Sequence, residues 1–288
     1  MKALYLAVLM TALTGCAQHS QTTAIAVSAS DVIKNAKAHE WQTVSTQNIL
    51  KITLPTGSAY IKLNPELAPK HTEHIKELAR EGFYKDTSVY RFVEGFVAQG
   101  GDSSGNKKIQ TANKTVPAEF YLETTQPLKI TELKGDGYAP VTGFLNGFAV
   151  AQNQTHTQTW QVHCNGVFAM ARDNDINSAS TEFFVTIGQG PRYLDKNITV
   201  FGRVLEGMEH FNRLQRTPTD GVAFNPITNV QVLADVKNDK SVFKVMKTDS
   251  VSFKQLIDAR KNRTEPWFVQ SYNYVDVCAM PIPTKRID

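Results

Sequence analysis

Between Val89 and Asp102 the chain reads Val89-Tyr90-Arg91-Phe92-Val93-Glu94-Gly95-Phe96-Val97-Ala98-Gln99-Gly100-Gly101-Asp102, and three of its side chains can act together. Arg91 supplies a permanently charged guanidinium, Gln99 a hydrogen-bonding amide, and Phe96 an apolar ring. A guanidinium can stabilise charge developing on a bound group by donating hydrogen bonds, without a covalent step. The common covalent and cofactor motifs are missing. The sequence has no G-x-S-x-G elbow, no G-x-x-x-x-G-K phosphate cradle and no C-x-x-C, and Gly135-Asp136-Gly137 does not continue as G-x-G-x-x-G. His71 and His74 read as the solvated surface of an expected helix. Asp173-Asn174-Asp175-Ile176-Asn177 lacks the Gly and Glu of a calcium loop and reads as a polar turn. No metal and no cofactor is expected.

Positioning Arg91, Phe96 and Gln99 takes a strand, a glycine turn and a second strand. Strand alternation puts Arg91 and Val93 on one face, and Val97 and Gln99 likewise. Asn48–Leu54 and Ala59–Leu63 alternate around Pro55-Thr56-Gly57, a hairpin pattern. Further strands are expected at Gly143–Ala151, Gly166–Ala171, Glu182–Ile187 and Thr199–Leu205. Pro69 opens a helix that Gly82 ends, and a second helix is expected over Gly207–Gln215. Many short strands with two main helices argue for a mainly β fold, a closed barrel rather than a doubly wound sheet.

The 288 residues carry 31 basic and 27 acidic side chains, a net charge of +4 with no concentrated cationic stripe, so nucleic acid is not an expected partner. Lys2, the apolar run Ala3–Met10 and the small residues before Cys16 form a signal peptide over 1–15. Leu13-Thr14-Gly15-Cys16 resembles the lipobox of bacterial lipoproteins, which makes Cys16 the acylated first residue of the mature chain; the alternative is an ordinary signal with an unrelated cysteine. Ala17, where Asp is absent, points to the outer membrane, facing the periplasm. Residues 16–47 read as a tether ending in a short helix capped by Ser30 and running to about His39. The barrel is expected over 48–218, with a long insertion at about 121–165, and 219–288 as an extension packed on it. In that extension Ser252 is expected to cap a helix whose Phe253, Leu256 and Ile257 face inward. The extension reads as structural, or as a docking surface for a client. With Cys16 acylated, Cys164 and Cys278 remain as a pair in an oxidising space, either bridged or as two buried thiols.

The Val89–Asp102 segment resembles the signature of the cyclophilins, which ends in Gln-Gly-Gly-Asp. Gly166-Val167-Phe168-Ala169-Met170-Ala171-Arg172 with Ser180-Thr181-Glu182-Phe183-Phe184-Val185 is similar to that family's next two strands, and Tyr193-Leu194-Asp195 with Val200-Phe201-Gly202-Arg203-Val204 to the two blocks after them. The resemblance implies an antiparallel eight-stranded barrel and a peptidyl-prolyl cis-trans isomerase acting on proline-containing segments of extended polypeptides. It gives Arg91 as the catalytic donor and Gln99 as its holder. It gives Phe96, Val97, Phe184 and Leu194 as the proline pocket, with Ala171, Arg172, Glu182 and Tyr193 along the groove. Glu182 departs from the family's Gln and is expected to compete as an ion-pair partner of Arg91, weakening activity. Tyr193 and Ile198 depart from the family's Trp and His and imply poor cyclosporin sensitivity. A monomeric, lipid-anchored foldase for exported proteins is the first reading; the second is a binding module without turnover, acting as a periplasmic chaperone.

Overall fold

A computed structural model describes residues 27–287; the expectations for the signal peptide and for Cys16 lie outside the described residues. Strand-forming alternation produces one large antiparallel sheet. From edge to edge it runs through Pro226–Ile227, Thr87–Val93, Val97–Gly101, Phe183–Thr186, Val167–Met170, Val200–Glu206, Gly57–Leu63, Ile49–Leu54 and Asn229–Val232. The two edges are successive pieces of one segment interrupted at Thr228, whose N–H donates to Thr53 O at 2.9 Å. Pro226 and Ile227 pair with Ser88 and Thr87, while Asn229 to Val232 pair with Thr53 to Leu50. That segment closes the barrel, and it lies beyond residue 218, where the sequence reading ended the domain. The signal was weak because Pro226 breaks the pattern and the two pieces are short.

Inward-facing residues of alternating register fill the barrel: Leu50, Ile52, Ile61, Phe168, Met170, Phe183, Val185 and Phe201, all essentially without solvent contact. The helix Pro69–Arg80 adds Ile75, Leu78 and Ala79 to this core, and the short helix Met208–Asn212 adds Phe211. At the Pro55–Gly57 turn Gly57 has φ +145°, a conformation that favours glycine, and a Cβ there would lie 2.2 Å from the His210 ring at Cε1. His71 and His74 are buried rather than solvated. His71 Nδ1 meets Glu119 Oε2 at 2.7 Å and His74 Nε2 the Ser180 carbonyl at 2.7 Å, because the 102–121 loop covers that side of the helix.

The insertion forms its own five-stranded sheet, ordered Leu122–Glu123, Gln158–Gln161, Phe148–Gln152, Val141–Leu145 and Thr131–Leu133. The single strand expected over Gly143–Ala151 is instead a hairpin turned at Asn146-Gly147, with φ of 47° and 83°. Both values suit an Asn-Gly tight turn. The ends of the described chain meet in a third sheet, where Val242–Met246 pairs with Trp41–Thr43 on one side and Thr284–Ile287 on the other. Against it pack the helices Ala29–Asn35 and Val251–Lys261, burying Ala29, Val32, Phe253, Leu256 and Ile257. Their caps are Ser28 and Ser250, two residues ahead of the expected Ser30 and Ser252. Ser252 is committed elsewhere: its N–H and hydroxyl donate to Glu40 at 2.8 and 2.7 Å. Cys164 and Cys278 form a disulfide that joins the insertion to the tail. Among the described residues no helix is long and apolar enough to cross a membrane.

Candidate active site

The strand Thr87–Val93 and its partner Val97–Gly101 do not pair in simple register. Ser88 faces Gly101 and Arg91 faces Gln99, so three steps on one strand match two on the other, and a bulge sits between Ser88 and Arg91. A bulge re-aims side chains. Val89 and Phe92 turn into the barrel core, which leaves both Tyr90 and Arg91 on the outer face with Val93. Across the sheet the register aligns Arg91, Gln99, Phe184, Ala169 and Val200 in one row. With neighbouring strands about 4.8 Å apart, Phe184 stands roughly 10 Å from Arg91 at the backbone, within reach of one dipeptide.

The apolar end of this row is a hydrophobic cluster on the barrel's outer face. Val97 and Phe184 are 2% and 5% exposed, and Phe96, Leu194, Ile198 and Ala171 pack on them as half-buried walls. Phe96 is fixed by its carbonyl, which accepts from Ile187 N–H at 2.9 Å, and Tyr193, 63% exposed, stacks on its ring at 6.4 Å. Of the expected groove residues, Arg172 is committed to the loops. Its guanidinium donates to the Asn197 and Asp173 carbonyls at 3.0 and 2.6 Å and covers the Phe120 ring.

Behind the pocket lies a buried polar chain. Asp195 accepts from the His163 N–H at 2.9 Å and faces His163 Nδ1 at 3.0 Å, while the His163 ring stacks against Phe184 at 6.4 Å. Arg192 bridges Asp195, at 2.7 Å, to Asp136 of the insertion, at 2.8 Å. Burial opposes ionisation of Asp136, but the hydrogen bonds from Arg192 and from the Tyr138 and Ala139 N–H groups, with the Arg192 charge, together outweigh it and hold the carboxyl below its ordinary range. Nothing in the sequence pattern linked Asp136 to this wall, because its partners lie far along the chain.

At the polar end, Arg91 Nη1 donates to Gln99 Oε1 at 3.2 Å, and among the described residues no carboxylate forms an ion pair with it. Glu182 therefore does not compete for Arg91 as expected. Its Oε2 instead accepts from Gln99 Nε2 at 3.0 Å and from the Tyr90 hydroxyl, and Gln99 Nε2 also donates to Tyr90 Oη at 2.6 Å. Burial first, and then the Glu182 carboxylate, push the Tyr90 phenol well above its usual pKa, so it stays protonated. The arrangement is an exposed, charged donor held by a neutral amide beside an apolar cluster.

Comparison with known proteins points the same way. The family described as "Cyclophilin type peptidyl-prolyl cis-trans isomerase/CLD" matches residues 49–236. A "Probable peptidyl-prolyl cis-trans isomerase" of Brucella suis is 28% identical over 206 residues, covering 66% of this chain and 85% of that protein. "Peptidyl-prolyl cis-trans isomerase cypE" of Dictyostelium discoideum is 25% identical over 193 residues, covering 67% of this chain and 99% of its own. Among solved structures, cyclophilin AquaCyp293 from Hirschia baltica superposes with a TM-score of 0.72 at 27% identity, over 89% of this chain and 96% of that one. The family match spans the strands that carry Arg91, Gln99 and Phe184 and extends through the closing segment at 226–232, and on that evidence the chain belongs to the cyclophilin-type peptidyl-prolyl cis-trans isomerase family.

Proposed function

We infer that this chain is a peptidyl-prolyl cis-trans isomerase that rotates X-Pro bonds in extended polypeptides, with Arg91 as its catalytic donor. An X-Pro bond resists rotation by about 18–20 kcal/mol through amide resonance, while its two planar forms differ by only about 0.5–1 kcal/mol. Catalysis therefore has to stabilise the twisted bond, in which the imide nitrogen regains its lone pair. A guanidinium donating to that nitrogen binds the twisted state more tightly than the planar one. The observation that carries the reading is that Arg91 is anchored by Gln99 Oε1, un-neutralised, and in register with the pocket at Phe184. Phe96, Val97, Phe184 and Leu194 hold the proline ring, and the peptide runs past Ala171 and Tyr193. The turnover-free module loses its main support here, since Glu182 is bound by Tyr90 and Gln99.

The test is a protease-coupled assay on an Ala-Pro peptide. Arg91→Ala is expected to lower kcat/KM by roughly 100- to 1000-fold, the scale for losing one preorganised donor. Retained turnover in a folded Arg91→Ala protein overturns the assignment.

We further propose that the enzyme is a periplasmic monomer acting on exported or envelope proteins, tethered to the outer membrane by lipid on Cys16. The leader supports this, and so does the Cys164–Cys278 disulfide, a bond that persists in oxidising compartments. Metabolic labelling with a radioactive fatty acid, lost in Cys16→Ser, checks the anchor.

A further inference from the structure

We propose that Tyr90 is a positioning residue for the isomerase reaction: its hydroxyl holds Glu182 away from Arg91 and, with Glu182, sets which end of the Gln99 amide faces the guanidinium. The proposal rests on the assignment of Arg91 as the catalytic donor.

The argument begins with the bulge. In a regular strand Tyr90 and Arg91 would point to opposite faces; the extra residue between Ser88 and Arg91 puts both outside the barrel. Tyr90 then stands over the same patch as Gln99, on the neighbouring strand, and Glu182, just ahead of the strand Phe183–Thr186. Glu182 is an acceptor with no proton to give, so the group facing it must be a donor. It receives two, the Tyr90 hydroxyl and Gln99 Nε2. Because Nε2 is drawn to Glu182 and to Tyr90 Oη, Oε1 is left on the opposite side, where Arg91 Nη1 donates to it. Reversing the amide would point an NH2 at a guanidinium and an oxygen at a carboxylate, two repulsive contacts. The carboxylate thus fixes the amide, and the phenol satisfies the carboxylate.

Without the hydroxyl, Glu182 keeps a single donor, and Arg91, which shares Gln99 with it and whose charge already acts on the Tyr90 hydroxyl, is a cation placed to supply the second. An ion pair there would draw the guanidinium off the imide. Tyr90 and Glu182 are therefore a matched pair, and the carboxylate is tolerated in the site because the phenol is present.

The experiment is a double-mutant cycle in the full chain, with thermal midpoints measured alongside. Tyr90→Phe is expected to lower kcat about tenfold, with KM changed by less than about twofold, and to leave the fold intact because the hydroxyl lies outside the barrel core. Tyr90→Phe combined with Glu182→Gln is expected to return kcat to within about threefold of the parent, since a neutral amide has no reason to pair with Arg91. Rescue by Glu182→Gln is a result that a merely structural tyrosine would not give. Full activity in Tyr90→Phe, or a double variant as impaired as the single one, overturns the proposal. If Arg91→Ala keeps its turnover, the catalytic assignment fails and this inference fails with it; if Arg91→Ala is inactive while Tyr90→Phe is normal, this inference alone is wrong. Should Tyr90→Phe prove unstable, the cycle is repeated with Tyr90→His, whose ring can restore a donor to Glu182 and is expected to retain activity; an inactive but folded Tyr90→His counts against the proposal.

Discussion

A guanidinium that is to act on a neutral imide must be held still without being neutralised. Gln99 meets that demand because its oxygen accepts a hydrogen bond while carrying no full charge, so Arg91 keeps its field for the substrate. Glu40 illustrates the opposite use of an acceptor. The Ser252 hydroxyl and N–H both donate to it, and its pKa falls from 4.5 to about 2. Folding therefore favours the ionised form; the contribution is complete above about pH 4.5 and is lost as pH falls toward 2. Glu40→Gln should lower the thermal midpoint by a few degrees at neutral pH and flatten its decline between those two values, read by calorimetry across a pH series. At this scale Arg91, Phe96 and Gln99 were legible, since their spacing across a strand, a turn and a strand leaves little choice of face. Tyr90 was hidden because plain alternation sends it inward, and only the bulge brings it out.

The elements that carry these side chains are stabilised by ties between distant parts of the chain. The loop bearing Leu194 is joined to the insertion through Arg192, with Asp195 on one side and Asp136 on the other, all nearly inaccessible to water. Removing Asp136 strips two hydrogen bonds from the buried guanidinium, which keeps Asp195 as its remaining carboxylate. Asp136→Ala should cost about 1–3 kcal/mol in urea unfolding and raise KM for peptide, because the Leu194 wall loses its brace. A normal denaturation midpoint would show that the brace is dispensable. Most elements could be placed from pattern: the first hairpin, the Pro69–Arg80 helix and the strands of the substrate row. The Asn146-Gly147 turn carries a hairpin signal, but the apolar runs on either side of it read as one continuous strand. The burial of His71 and His74 could not be anticipated, because their cover comes from an irregular loop with no periodicity.

At the scale of the whole molecule, the insertion and both ends of the described chain form a second mass against the barrel's outer face. The structural likeness to the Hirschia baltica cyclophilin covers 89% of the chain, more than the 49–236 family span alone. The extension therefore belongs to the architecture of that relative as well. Its tail is held to the insertion by the Cys164–Cys278 bond, whose half-cystines are 114 residues apart. A loop of that length contributes on the order of 4 kcal/mol in the chain-entropy account. Reduction should therefore lower the thermal midpoint by roughly 10 °C, and Cys278→Ser should reproduce the effect without reductant. An unchanged midpoint would mean that the tail docks without the bond.

The strand that seals the barrel arrives late. While the polypeptide is being made, the two lips of the sheet, Thr87–Val93 and Ile49–Leu54, stay bare until residues 226–232 emerge, and Trp41–Thr43 waits longer still for Val242–Met246. Bare lips recruit other chains. A product released at or before residue 225 would thus be an adhesive half-cylinder, and this folding helper would itself need shelter during its own birth.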